Sequence, residues 1–128
     1  MADQLFFAQT VNFNMKILII IFALFSNFKV FSQEIFIEGL EDIPIYSEMN
    51  YVEDSLILFD KINGRYVSTK TKGKYPQKEV QEFYKKILPN LGWKIKKKNL
   101  FERGNERLEI RFSKENDQTI AIFNIFPK

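Results

Sequence analysis

The stretch that decides the fold is YPQKEVQEFYKKILPNLGW, residues 75–93. Its apolar side chains recur at the spacing of one face of an α-helix, and this face consists of Val80, Phe83, Tyr84, Ile87, Leu88 and Leu91. Pro76 suits the first position of the helix, and Pro89 and Gly92 end it. The pattern predicts an amphipathic helix whose apolar face packs on the rest of the domain.

On both sides of this helix the pattern is typical of strands. Two strand-like runs, at about residues 55–61 and 65–74, flank Asn63-Gly64, a dipeptide that favours tight hairpins. After the helix, apolar and polar residues alternate, with turns at Gly104-Asn105 and Asn116-Asp117. The last run, TIAIFNIFPK, is apolar on both faces, as in a strand that is buried on both sides or central in its sheet. The predicted fold is α+β, a single antiparallel sheet with one amphipathic helix packed across it in the order β-β-α-β-β-β.

The stretch MKILIIIFALFSNFKVFSQ, residues 15–33, has the layout of a signal peptide. A cationic start is followed by an apolar run over residues 17–25 and a polar stretch, and cleavage is predicted between Ser32 and Gln33. Residues 1–14 are then expected to be an upstream extension that is not translated, and the alternative is that they form a long n-region of the signal peptide. This layout predicts Sec-dependent export to the periplasm. The alternative is an uncleaved inner-membrane anchor, although the clean run of nine residues is short of the roughly 20 that a spanning helix needs.

The charges of the chain are segregated. Residues 33–60 contain eight acids and no Lys or Arg, whereas residues 61–128 contain 17 bases and 7 acids. Because Pro44 argues against a helix, residues 33–54 are predicted to be an extended acidic arm, with residues 55–128 forming the helix-on-sheet domain. The arm either covers a basic surface of the same molecule or leaves that surface free for a partner.

The composition excludes much catalytic chemistry. The chain has no Cys and no His, which removes disulfides, thiol nucleophiles, histidine acid–base catalysis and Cys/His zinc sites. The carboxylate pairs Glu41-Asp42 and Glu53-Asp54 are interpreted as solvated residues of the arm. No enzymatic activity, cofactor or metal is expected, and an enzyme that uses carboxylate or lysine chemistry remains the weaker alternative.

The candidate site is a basic face of the sheet. If the apolar residues of the alternating strands face the helix, seven cations point to the opposite face: Lys70, Lys72, Lys94, Lys96, Lys98, Arg107 and Arg111. Only Glu109 is expected to oppose them. Such a face can attract anionic lipid, a glycan carboxylate or an acidic protein of the cell envelope, or it is only a solvated surface. Nucleic acid is not expected, because of the compartment and because outward aromatic side chains are not evident.

The aromatic residues at the end of the helix are interpreted as core. Tyr84 lies on the apolar helix face and Trp93 in the inward phase of the next strand. FYKKILPNLGW, preceded by FDKINGRYV and DIPIY, resembles a family of small exported Gram-negative, chiefly alphaproteobacterial, proteins that have no assigned activity. The resemblance covers about residues 41–128 and implies an exported helix-on-sheet domain.

The function predicted from the sequence is that of a small non-enzymatic periplasmic binding or accessory domain, which contacts anionic envelope components through the basic face. The alternative is an envelope structural protein that is anchored in the membrane by an uncleaved N-terminal helix.

Overall fold

A computed structural model describes residues 14–24 and 34–128 of the chain. Residues 14–24 form an exposed helix, α1, and belong to a unit separate from the compact unit Glu34–Lys128. Neither α1 nor any other helix in the described ranges is long and apolar enough to cross a membrane. The predicted cleavage site at Ser32 and Gln33 lies outside the described residues, as does nearly all of the predicted upstream extension.

In the compact unit, residues 34–128, nine strands and one helix are formed: β1 (Phe36–Ile37), β2 (Leu40–Pro44), β3 (Asn50–Tyr51), β4 (Ile57–Lys61), β5 (Gly64–Gly73), α2 (Gln77–Asn90), β6 (Lys94–Lys97), β7 (Leu100–Arg103), β8 (Glu106–Glu115) and β9 (Gln118–Pro127). Strands β1 and β2 pair as a small sheet of their own. The other seven form an antiparallel sheet in the order β3-β5-β9-β8-β7-β6, and β4 pairs with β5 beside β3. The α+β class is confirmed, but the single sheet and the predicted strand order are wrong.

The segment predicted as an extended arm contributes to both sheets. It contains β1, β2 and β3, and Ile37, Leu40 and Ile43 are fully buried in the core. The chain reverses at Gly39, whose φ of 84° favours glycine. Ile37 lies before this turn, and Leu40 and Ile43 lie after it. Because all three are buried, the acidic segment is part of the folded unit.

Helix α2 has the buried face that its sequence predicts. Val80, Tyr84 and Leu88 are fully buried, and the partly buried residues of the same face are Phe83, Ile87 and Leu91. The helix begins just after Pro76 and includes Pro89 in its last turn. Full burial of an aliphatic or aromatic side chain contributes about 1.5–3 kcal/mol, so this face fixes the helix to the large sheet.

Strand β9 is central in the large sheet, between β5 and β8, which confirms one of the two explanations for its apolar sequence. Alternate residues of β9 are buried under the helix layer, namely Thr119, Ala121, Phe123 and Ile125. The β8–β9 turn has positive φ at both Asn116 (47°) and Asp117 (62°), as expected of a tight hairpin.

The β4–β5 hairpin turns one residue earlier than predicted. Lys61 pairs with Gly64, so Ile62 and Asn63 form the turn. Gly64 adopts a φ of 138°, and a Cβ there would lie 3.0 Å from a side-chain carbon of Pro127. Glycine is therefore needed at this position both for its backbone conformation and for the close approach of the C-terminal residues.

Candidate functional site on the outer sheet face

The outer sheet face is the face of the seven-stranded sheet that turns away from α2. In β5, exposed Lys70 and Lys72 alternate with buried Thr69 and Thr71, which places both lysines on this face. Arg111 belongs to the same face, because Ile122 of β9 pairs with Lys70 on one side and with Arg111 on the other. These three cations form one group toward one end of the sheet.

A second group lies toward the other end of the same face. Lys94 pairs with Glu102, and Glu102 pairs in turn with Arg107. The Arg107 Nε donates a hydrogen bond of 3.1 Å to a Glu102 carboxylate oxygen. Lys96 acts on the same carboxylate through its charge. Five of the seven predicted cations therefore share the outer sheet face, in two groups. Lys96 lies at the register shift of β6, where alternation does not assign it to a face.

Lys98 does not share this face. A register shift between Ile95 and Lys97 interrupts the β6–β7 pairing, and Lys98 lies in the following turn, where it lines a groove beside α2. A bulge adds one residue to a strand and breaks the period of two. The alternation used to place Lys98 therefore fails at this point.

Two acids, not one, neutralise part of the face. Glu109 is ion-paired with Arg111, as its predicted position allows. Glu102 accepts hydrogen bonds from Lys128, at 3.1 Å, and from Arg107, and these cations, Lys128 first, lower the pKa of the Glu102 carboxyl despite the opposing effect of desolvation. Glu102 was missed because β7 was not recognised as a separate strand, although LFER before Gly104 alternates as a short strand does.

The outer sheet face also carries an apolar strip that was not predicted. It consists of Ile57, Phe59, Tyr66, Ile120, Ile122 and Phe126, all exposed or half-buried. The rings of Phe59 and Tyr66 stack with centroids 5.0 Å apart, and the Lys61 Nζ lies 5.6 Å and 5.2 Å from the two centroids. The expectation that this face lacks outward aromatic side chains is therefore wrong.

The apolar strip reaches the β4–β5 hairpin, where exposure is greatest. Ile57 is 58% exposed and Phe59 46% exposed, and Ile62 at the tip is fully exposed. A shallow depression of about 440 Å³ lies between this hairpin and the end of β9, with Phe59, Tyr66 and Phe126 among its lining residues. Contiguous exposed apolar surface of this kind marks interaction sites.

The β1–β2 hairpin lies on the helix side of the large sheet and does not cover the outer sheet face. The Tyr84 hydroxyl donates a 2.9 Å hydrogen bond to the carbonyl of Pro44 and accepts one of 3.2 Å from the Tyr46 N–H. Burial raises the pKa of Tyr84 well above its ordinary value, so the hydroxyl stays protonated and keeps donating. Arg103 is ion-paired with Asp42, and its guanidinium lies 4.2 Å from the Trp93 ring centroid. Part of the acidic segment is thus held away from the basic groups.

Comparison of the chain with protein-family models, with curated proteins and with solved structures found no match. The resemblance to the exported family therefore stays a prediction. The residues that carry it have a packing role in the structure, because Tyr84, Leu88 and Trp93 are fully buried. Within residues 14–24 and 34–128, no cluster of three or more acids is placed to hold a metal ion.

Proposed function

We propose that residues 34–128 form a non-enzymatic binding domain that attaches to an anionic membrane surface through the outer sheet face. The observation that supports this proposal most is the combination of an exposed apolar strip and unpaired lysines on one face. Lys70, Lys72 and Lys94 take part in none of the ion pairs found among the described residues. The proposal holds for a free exported domain and for one that stays tethered by its N-terminal segment.

The two kinds of side chain contribute in different ways. Each Lys or Arg near an anionic bilayer surface contributes about 1 kcal/mol, and this attraction is screened by salt. Phe59, Tyr66 and Ile57 add burial of apolar area at the acyl boundary, which salt does not screen. Tyr66 also suits the interface because its ring is apolar while its hydroxyl can stay in contact with water.

A lipid surface fits the face better than a glycan does. Glycan carboxylates would pair with the lysines but would leave the Phe59–Tyr66 stack and the exposed Ile57 in water. An anionic lipid supplies both phosphate groups and hydrocarbon, so it satisfies both components of the outer sheet face. The favoured orientation places this face along the bilayer, with the β4–β5 hairpin deepest.

Vesicle binding tests the proposal. A chain that begins at Gln33 should sediment with phosphatidylglycerol-containing vesicles but not with vesicles of phosphatidylcholine alone. Phe59→Ser with Ile62→Ser should weaken binding at least about tenfold, since each loss removes about 1 kcal/mol or more of apolar burial. Lys70→Glu with Lys72→Glu should weaken it to a similar extent at low salt and less at high salt.

Lys85→Glu with Lys86→Glu is the matched control, because it makes the same change in net charge at two exposed positions of α2. This variant should bind vesicles nearly as well as the unaltered chain. Equal weakening by both charge-reversal pairs would mean that only net charge matters and would contradict a role for the outer sheet face. Tighter binding to single-stranded DNA than to anionic vesicles would contradict the proposed ligand.

A further inference from the structure

A groove separate from the outer sheet face lies beside α2. It has a volume of about 730 Å³ and is formed by one side of the helix, the end of β6, the following turn and β7. This volume is within the range of about 300–1,000 Å³ typical of ligand sites. The site is independent of the membrane contact proposed above.

The groove is strongly basic. Lys78 and Lys85 project from α2, Lys97 is the last residue of β6, Lys98 lies in the turn after it, and Glu82 is the acid among the lining residues. None of these five residues takes part in an ion pair found within residues 34–128. A ligand with several negative charges would therefore be attracted from two sides of the groove.

The floor of the groove is apolar. Ile95 of β6 pairs with Phe101 of β7 and shares its side of the sheet. Phe101 is buried, whereas Ile95 remains 51% exposed, so α2 covers the first residue and not the second. An apolar side chain of a ligand could complete the burial of Ile95, at a gain of about 25 cal/mol for each Å² removed from water.

The polar groups of the groove suit a polypeptide backbone. The Gln81 side-chain amide donates a 2.9 Å hydrogen bond to the Asn99 side-chain oxygen across the groove, and Gln77 lies at its end. Strand β6 is the last strand of the sheet, and no strand of the described residues pairs with its second edge. Edge strands next to a helix accept extended peptides as an added strand, with side chains held in pockets.

From this combination, we propose that the groove binds an extended acidic peptide segment of a partner protein, with one apolar side chain seated on Ile95. A second copy of this chain fits poorly, because Lys94, Lys96 and Lys97 of one β6 would face the same lysines of the other. A single acyl chain with an anionic head fits poorly as well, because it would leave the β6 backbone edge without hydrogen-bond partners.

Fluorescence polarisation with a synthetic probe tests the proposal on the full chain. The probe is a short fluorescein-labelled peptide of Glu and Asp residues around one central Leu. It should bind at low salt, and binding should weaken as salt rises, because exposed charges are screened beyond about 8 Å at physiological ionic strength. A probe with Ser in place of Leu should bind at least about threefold more weakly.

Three variants locate the site. Lys97→Glu with Lys98→Glu should weaken binding of the Leu probe about tenfold or more, since each reversal turns an attraction into a repulsion. Ile95→Ser should reduce binding of the Leu probe to that of the Ser probe. Lys70→Glu with Lys72→Glu makes the same change in net charge on the outer sheet face and should leave probe binding within about twofold of that of the unaltered chain.

All of the replaced side chains are exposed or half-exposed, and circular dichroism would establish that each variant is folded. Equal binding by the groove variants and the unaltered chain would overturn the proposal. Equal affinity for the Leu and Ser probes would contradict the proposal that an apolar side chain of the peptide packs on Ile95. Failure of both probes to bind, or binding of laurate in their place, would overturn the peptide as occupant without affecting the vesicle results.

Discussion

The two edges of the large sheet differ in the side chains that they expose. At one edge, β6 has the sequence KIKK, with three lysines in four residues. At the other, β4 has the sequence ILFDK, in which the first three residues are apolar and every residue is exposed. An unpaired strand edge is a template for unwanted pairing. Charge protects β6 from such pairing, whereas β4 presents an apolar surface.

This difference indicates what each edge can contact. The lysines of β6 repel another β6 and attract acids, which is the basis of the peptide site proposed beside α2. Exposed apolar residues of β4 continue the apolar strip of the outer sheet face, where Lys61 lies next to the Phe59 and Tyr66 rings. Such a surface favours a partner that is both apolar and anionic, as a lipid bilayer is.

The largest predicted effect is a loss of stability when a core residue, and not an edge residue of the sheet, is replaced. Leu88 is fully buried in the structure, and Leu88→Ala should lower the free energy of unfolding by about 2–5 kcal/mol. Ile95→Ala on β6 and Phe59→Ala on β4 remove half-exposed groups and should each cost about 1 kcal/mol or less. Urea denaturation measures all three. A cost for either edge variant as large as that of Leu88→Ala would mean that this edge belongs to the core.

A smaller effect is predicted when two of the lysines that protect the β6 edge from unwanted strand pairing are removed. Replacing Lys96 and Lys97 with Thr keeps β propensity and removes two charges from the edge strand. Self-association, measured by sedimentation velocity, should then rise by about tenfold in association constant or more. Replacing Lys85 and Lys86 with Gln makes the same charge change on α2, outside the edge strand, and should leave the association constant unchanged. If both variants associate equally, net charge and not edge protection is responsible.

The smallest effect concerns pH and the β6 end of the outer sheet face. Lys128 and Arg107 lower the pKa of Glu102 in the folded state, so its ion pairs stabilise the fold at pH values above the unfolded pKa. That contribution is lost as the pH falls through the folded pKa. The stability difference between the unaltered chain and Glu102→Gln should therefore be largest near neutral pH and shrink in acid.

Thermal unfolding across this pH range measures the difference. Glu53→Gln is the control, because Glu53 is exposed and takes part in none of the ion pairs of the described residues. A Glu102→Gln difference that grows as the pH falls would show that the sign assigned to this interaction is wrong.

Local patterns in the sequence predicted the elements that depend on neighbours along the chain. The apolar spacing of Val80, Tyr84 and Leu88 identified α2 and its buried face. The turn at Asn116-Asp117 followed from residue type. For β9, apolar residues on both faces left a central position in the sheet as one of two explanations, and the structure has this one.

Features that depend on pairing between distant segments were not predicted. The burial of Ile37 and Leu40 depends on contacts with a core contributed largely by later strands and α2, and the acids around these residues obscured their pattern. The bulge in β6 leaves no mark in KIKKKN, because Lys96, Lys97 and Lys98 are three lysines in a row. Five of the seven basic site residues could therefore be placed from alternation. Lys96, Lys98 and the apolar strip of the outer sheet face could not.

Two tryptophan reporters test the central claim, that the outer sheet face inserts into an anionic membrane surface. Phe59→Trp and Ile95→Trp are matched, because the native side chains are 46% and 51% exposed, and native Trp93 is fully buried in both variants. On binding phosphatidylglycerol-containing vesicles, the Phe59→Trp chain from Gln33 should show blue-shifted emission and quenching by brominated acyl chains, while the Ile95→Trp chain should show neither. Blue shift and quenching at position 95 alone, or at neither position in a chain that sediments with the vesicles, would contradict the account.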